Sequence, residues 1–169
     1  MNWLGEVVAK EVSPDDTVLD LGCGNLSTTG RLGACHLATD AFTPYLDAIK
    51  DSGPTMEFEI PFGLGFFRDD SFDIVLLLDV MEHCQECYHR SILFEAERIA
   101  RKAVIVFSPE GMMKQEAFDC WGLGYNELQS HVSAVYASDF SKRGYEITDH
   151  ETIGDNEETH DAFLAIKRA

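Results

Sequence analysis

Apolar positions along this chain switch between the helical and the strand period. Trp3, Leu4, Val7, Val8 and Val12 recur on one face and predict an amphipathic helix over 2–12. Ser13-Pro14-Asp15-Asp16 reads as a turn and Thr17-Val18-Leu19-Asp20-Leu21 as a short buried strand, broken by Gly22-Cys23-Gly24. Asn25 or Ser27 is placed to cap a helix running to about Gly33. His36 to Asp40 reads as a second strand. Thr43-Pro44 opens a helix to about Asp51, with proline at its favoured first position, and Thr55 to Ile60 is a third strand.

The strongest strand signal is the continuous run Phe72-Asp73-Ile74-Val75-Leu76-Leu77-Leu78-Asp79, which suits a strand covered on both faces. Ile92, Leu93, Ala96, Ile99 and Ala100 recur on one face of a helix over 85–102, and Ala103 to Phe107 follows as another buried strand, stopped by Ser108-Pro109. Residues 110–137 are irregular and rich in aromatics. A short helix at Asp139 to Arg143, closed by Gly144, precedes two last strands, Tyr145 to His150 and Ala162 to Lys167. Strands alternating with helices predict a single α/β domain over 1–169, with helices on both faces of a mostly parallel sheet. The last two strands have no helix between them, so one of them runs antiparallel.

Charge narrows the partners. Thirty Asp and Glu against 13 Lys and Arg give a formal net charge of −17. Such a field repels phosphate backbones and anionic head groups, so nucleic acid and membrane surfaces are disfavoured as partners and a small neutral or cationic molecule is favoured. Most of this charge reads as a solvated, solubilising surface. No stretch reaches the ~18 uninterrupted apolar residues of a membrane span. Met1 to Val12 lacks the basic start and apolar run of a secretory signal, and the five cysteines are an odd number, so reduced thiols in a cytoplasmic protein are expected.

The chemistry is concentrated at the end of the first strand. In an open parallel sheet ligands bind beyond the carboxyl ends of the strands. Gly22-x-Gly24 lets the backbone turn sharply and a ligand approach without a Cβ in the way, although a plain tight turn has the same pattern. Asp40 closes the second strand 20 residues after Asp20, and a carboxylate there offers paired acceptors to both hydroxyls of a ribose. Asp20, just before the glycines, disfavours a pyrophosphate and suits a cation. Ser27 stands where a dinucleotide fingerprint wants its third glycine, and no P-loop is present. A ribose-bearing ligand with a cationic group and no phosphate fits, and S-adenosylmethionine is such a molecule.

Val18-Leu19-Asp20-Leu21-Gly22-Cys23-Gly24 resembles the first motif of the class I S-adenosylmethionine-dependent methyltransferases. Asp70 to Val75 with Asp79-Val80-Met81-Glu82-His83 resembles their fourth strand and the segment after it. Val104 to Gly111 resembles the fifth strand and its proline-containing exit, and Asp139-Phe140 with Gly144 to Ile147 the approach to the sixth. The resemblance spans roughly 15–169. It implies a Rossmann-like, doubly wound seven-stranded sheet of order 3-2-1-4-5-7-6 with strand seven antiparallel. It also implies Asp20, Gly22 and Gly24 against the methionine end of the cofactor, and Asp40 on the ribose. Ala41 and Phe42 would lie beside the adenine, Asp79 near the cofactor's amino group, and Glu57 or Glu59 with Ile60 around the adenine amino group. The run after Ile60, with its Phe-Gly-Leu-Gly-Phe-Phe, departs from the family's compact pattern.

Other constellations are less specific. Cys84-x-x-Cys87 with His83 and His89 has a zinc-like look, yet no second pair sits at matching spacing, although Cys120 or His131 could approach in space; the expectation is no metal, with a lowered thiol pKa open at the helix start. His83, after the fourth strand, and His131, in the segment expected to cover the substrate, are the candidate catalytic groups, able to take a proton from an acceptor or simply to pack. Gln115, Asn126 and Ser133 accompany His131, and Trp121, Tyr125 and Tyr136 either meet a planar or cationic substrate or pack as a lid. The leading expectation is a methyltransferase. A catalytically inactive binding or partner subunit and a nicotinamide-dependent oxidoreductase are the alternatives.

Overall fold

The structure, a computed structural model, describes residues 3–117, 121–153 and 159–169. Helix α1 (Trp3–Glu11) leads into β1 (Thr17–Leu21), then β2 (Cys35–Asp40), α2 (Thr43–Ile49), β3 (Thr55–Glu57) and β4 (Phe72–Leu78). Helix α3 (Glu86–Ile99), β5 (Ala100–Pro109), α4 (Ala137–Ser141), β6 (Glu146–Ile153) and β7 (Thr159–Arg168) follow. The described strands form one seven-stranded sheet of order β3-β2-β1-β4-β5-β7-β6. β1 to β5 run parallel, and β7 pairs antiparallel with both β5 and β6. This is the order and the antiparallel strand that the sequence resemblance implies.

The apolar run of β4 explains why the sheet is covered on both faces. Val75 and Leu77 point into a core completed by Ile92, Leu93, Ala96 and Ile99 of α3, whereas Ile74 and Leu76 meet Leu4 and Val8 of α1 on the other side. A strand alternates its side chains, so a continuous apolar run fills two cores at once. Each of these fully buried aliphatic side chains contributes roughly 1.5–3 kcal/mol relative to exposure.

The amino-terminal ends of β1 and β4 are locked by charge. Asp73 accepts from the backbone N–H of Thr17 at 2.9 Å and from its hydroxyl at 3.0 Å, and pairs with Arg101 at 2.8 Å and Lys102 at 3.4 Å. Lys102 also reaches Asp16, whose second oxygen accepts from Ser13 N–H at 2.8 Å. These donors hold the Asp73 carboxyl down, at about 2.

Three elements differ from the sequence expectation. Residues 22–34, all of them described, form successive turns instead of a helix. Leu26, Gly30 and Gly33 take φ values of 60°, 65° and 65°, which no right-handed helix accommodates. Gly33 is pressed so close to the Asp16 carbonyl that a Cβ would lie 2.2 Å from it, and Ala34 N–H donates to that carbonyl at 2.8 Å, so the chain is pulled directly back into β2. Strand β5 begins at Ala100, immediately after α3, and β3 is short, ending at Glu57. The acidic run Asp155 to Glu158, between the last strands, lies outside the described residues.

Candidate active site

The site is built from the carboxyl ends of β1, β2 and β4. Gly22 and Gly24 have φ values of 71° and 53°, in the left-handed region that glycine enters at no steric cost. Both also admit a close neighbour. A Cβ on Gly22 would lie 2.7 Å from Val80, and one on Gly24 would lie 2.5 Å from the Trp121 ring. Asp40 ties this turn to the next. One of its oxygens accepts from Gly24 N–H at 3.0 Å and the other from Phe42 N–H at 2.8 Å. Both oxygens are thus fixed, each with further acceptor capacity. Burial pushes this carboxyl up despite the two amides.

Asp20 is buried and engaged. His36 Nδ1 accepts from Leu32 N–H at 3.0 Å, which leaves Nε2 as the donor to Asp20 Oδ2 at 3.1 Å. His36 escaped the sequence reading, because nothing local marks a strand histidine as the partner of an acid one strand away.

Two cavities meet here. The first, about 260 Å³, is lined by Asp20, Gly22, Gly24, Asp40, Asp79, Glu82, His83 and His131, together with Trp121 and Gln115. The second, about 370 Å³, is lined by Ala41, Phe58, Glu59, Ile60, Tyr88, Leu128 and Val132, and by Asn126. Gly22, Asp40, Asp79, His83 and Gln129 belong to both, so the two form one bipartite cleft with an acidic lobe and an apolar lobe. Its size is within the roughly 300–1,000 Å³ of small-ligand sites. Phe42, expected beside the adenine, lies outside both linings. Its ring packs edge-on against Tyr45 at 4.7 Å, and its backbone N–H serves Asp40. Glu57 is also outside, taking a hydrogen bond from Thr43 at 3.1 Å, which leaves Glu59 as the carboxylate of the apolar lobe.

Asp79 follows β4 with φ 54°, a strained conformation for a residue with a side chain. It is exposed to the open cleft and lines both of its lobes. Glu82 is 2% exposed. Its Oε2 accepts from the Ser108 hydroxyl at 3.0 Å, and its Oε1 has no hydrogen-bond partner among the described residues. Burial and the Asp79 charge push Glu82 well above the usual carboxylate range. His83 gives its Nδ1–H to Ser130 C=O at 3.1 Å, and His131 gives its Nδ1–H to Met113 C=O at 2.8 Å. The two rings meet edge to face, with centroids 4.7 Å apart. Burial and the neighbouring His131 lower His83 to about 4, which makes it a poor general base near neutrality.

The described parts of segment 110–137 line the cleft. An antiparallel bridge between Gly111 and Val135 closes its base, and Val132 N–H donates to Glu82 C=O at 2.9 Å. Gln115 donates to the Gln129 carbonyl at 2.8 Å, while Asn126 accepts from Leu128 N–H at 3.0 Å and so caps a short 3-10 turn. Ser133 is buried against His89 at 3.0 Å and takes no part in the lining of either lobe. Trp121 stands edge-on to Tyr45, across Gly24, whereas Tyr125 is 69% exposed. Cys84 is pushed up to about 12 by burial and the nearby Glu82, which answers the question left open of a lowered thiol at the helix start, and Cys87 is exposed. Cys120 lies outside the described residues.

No known protein family matches the sequence, and no curated protein resembles it. Solved structures do. A methyltransferase from Methanosarcina mazei, described as S-adenosylmethionine-dependent, superposes with a TM-score of 0.66 at 11% identity over 96% of each chain. Magnesium protoporphyrin IX methyltransferase from Synechocystis, with bound S-adenosylhomocysteine, gives 0.65 at 16% identity over 97% of this chain and 80% of its own. The 1,6-didemethyltoxoflavin-N1-methyltransferase of Burkholderia thailandensis gives 0.64 at 13% identity, covering 98% and 76%. At such identities the likeness is one of architecture, and it agrees with the strand order and the glycine turn: the chain has the class I S-adenosylmethionine-dependent methyltransferase fold.

Proposed function

We propose that this protein binds S-adenosylmethionine in the bipartite cleft and transfers its methyl group to a small neutral or cationic acceptor. The observation that carries the reading is Asp40. It stands where the two lobes join, with both oxygens preset by backbone amides and the left-handed glycine turn beside it. A carboxylate so fixed suits a ribose diol. The adenine would enter the apolar lobe between Ala41 and Ile60, with Glu59 at its rim, and the methionine end would lie along Gly22 and Gly24 in the acidic lobe. Asp20 and Asp79 give that lobe the sign that favours a sulfonium and an ammonium group.

The missing helix after β1 weighs against the nicotinamide alternative. A dinucleotide site sets its pyrophosphate on a helix N-terminus following the glycine turn. Here turns occupy 22–34, and Asp20, Asp79 and Glu82 line the same lobe. Methyl transfer in this cleft would be an in-line displacement. The acceptor's lone pair forms a bond to the sulfonium methyl while the C–S electron pair returns to sulfur, giving S-adenosylhomocysteine. The protein's part is alignment in a cleft lined by the described parts of segment 110–137. His83 and His131, which line the acidic lobe, would orient the acceptor there.

Calorimetric titration tests this. The protein should bind one S-adenosylmethionine with Kd on the order of 10 µM and show no heat with NAD. Folded protein that ignores S-adenosylmethionine, or that prefers NAD, overturns the reading.

A further inference from the structure

The acidic lobe holds a cluster that the methyltransferase reading does not require. Glu82, His83 and His131 each bring one potential ligand atom to a common point, all within 4.8 Å of one another. We propose that these three residues form a binding site for a first-row divalent transition-metal cation, with an open face toward the cleft. A hydroxyl of the methyl acceptor would occupy that face.

Four observations support the site. First, both imidazoles spend Nδ1–H on backbone carbonyls, Ser130 and Met113. That fixes the tautomer with the lone pair on Nε2 and sets each ring's direction, the arrangement that metal-bound histidines show in their outer shell. Second, Glu82 is 2% exposed, yet its Oε1 lacks a hydrogen-bond partner among the described residues. A buried carboxylate oxygen left unsatisfied is costly, and a cation satisfies it. Third, Glu82 Oε2 is oriented by the Ser108 hydroxyl, so the carboxylate is preset as well. Fourth, Asp79 opens onto the same lobe and adds negative charge without being needed as a ligand. Bond lengths of about 2.0–2.2 Å place two ligands of one ion at most about 4 Å apart, so small side-chain rotations close the set.

Ligand softness selects the ion. Two imidazoles and one carboxylate suit Zn²⁺, Fe²⁺, Co²⁺ or Mn²⁺ and not the oxygen-seeking Mg²⁺ or Ca²⁺. Three ligands from one side leave positions open. The Cys84-x-x-Cys87 pair is not part of the cluster.

The acceptor's place rests on the proposed methyltransferase reading. A hydroxyl bound to the cation loses its proton to water more readily than a free one. The resulting oxygen forms the O–CH₃ bond as the C–S bond breaks toward sulfur. The products are a methyl ether, S-adenosylhomocysteine and one released proton.

The test uses the full chain, stripped with a chelator and titrated with Co²⁺, followed by its visible d–d absorption. One Co²⁺ per chain should bind, displaceable by Zn²⁺ and not by Mg²⁺. His131→Gln and His83→Gln should each weaken binding at least about 100-fold while far-UV circular dichroism stays native. Cys87→Ser should bind as the wild type does. Two histidine variants are used because both rings are only half-buried, so their replacement leaves the core intact. Absence of Co²⁺ binding, binding indifferent to both histidine variants, or binding lost in Cys87→Ser overturns the site. Calorimetry with S-adenosylmethionine on the same samples separates the two proposals. Cofactor binding without Co²⁺ binding rejects the metal site and leaves the transferase reading standing. Co²⁺ binding without cofactor binding keeps the site and rejects its link to methyl transfer.

Discussion

The two ends of β4 treat their acids in opposite ways. At the amino end Asp73 faces Thr17, Arg101 and Lys102, and its carboxyl is held down at about 2. At the carboxyl end no ion pair reaches Asp79 or Glu82 among the described residues, and burial with the Asp79 charge pushes Glu82 well above the carboxylate range. Carboxylates six and nine residues apart, at the two ends of one strand, therefore do different work. A compensated acid ties strands together. An uncompensated acid costs stability and stands ready for a cationic ligand, as functional carboxylates commonly do. Asp40 lies between these cases, with its oxygens held by two amides and its carboxyl still raised by burial.

Breaking the compensated end should cost most. Asp73→Ala removes the acceptor of Thr17 and the partner of Arg101, and should lower unfolding stability by roughly 2 kcal/mol in urea denaturation at pH 7. The sign with pH follows from the folded value of about 2 against the ordinary 3.8. The Asp73 contribution is complete above the unfolded value and is lost as the pH falls through the folded one. Stability should therefore drop between about pH 4 and pH 2 in the wild type and not through this group in Asp73→Ala.

Asp40→Ala should weaken S-adenosylmethionine by about 10- to 100-fold, or about 1.4–2.8 kcal/mol, in a calorimetric titration, because the diol then loses a preset acceptor. At the uncompensated end the sign reverses. Glu82→Gln removes a charge that burial and Asp79 disfavour, while its carbonyl oxygen can still accept from Ser108. It should stabilise the ligand-free protein by about 1 kcal/mol at pH 8 and by little at pH 4, where the native carboxyl is already protonated. A loss of stability at pH 8 would show that the two ends of β4 do not differ as described.

Much of this was legible in the sequence. The run Ile74 to Leu77 could only be a strand covered twice, and the lack of a helix between the last two strands required an antiparallel partner. Asp20, Gly22, Gly24, Asp40 and Asp79 were identifiable because the glycine turn and the strand-ending acids are local patterns, and they do line one cleft. The helix after β1 was misjudged because capping residues such as Asn25 and Ser27 also build turns. Asn25 Oδ1 accepts from Ser27 N–H at 3.0 Å, and Gly33 must fit under the Asp16 carbonyl, a contact no local rule reveals. Phe42 was misplaced because strand alternation stops at Asp40, and the turn swings its ring onto Tyr45. The union of Glu82 and His83 with His131 depends on the return of a segment 48 residues downstream, so only the Glu-His pair after the fourth strand hinted at it.

The most direct measurement is the thermal unfolding of wild type and Asp40→Ala with and without S-adenosylmethionine. At a ligand concentration of about 100 times Kd a specific site adds about 2.7 kcal/mol. For a chain of this length that raises Tm by roughly 5–10 °C. Such a rise is expected in the wild type, and a much smaller one at the same concentration in Asp40→Ala. An unchanged wild-type Tm, or an equal rise in both proteins, would contradict it.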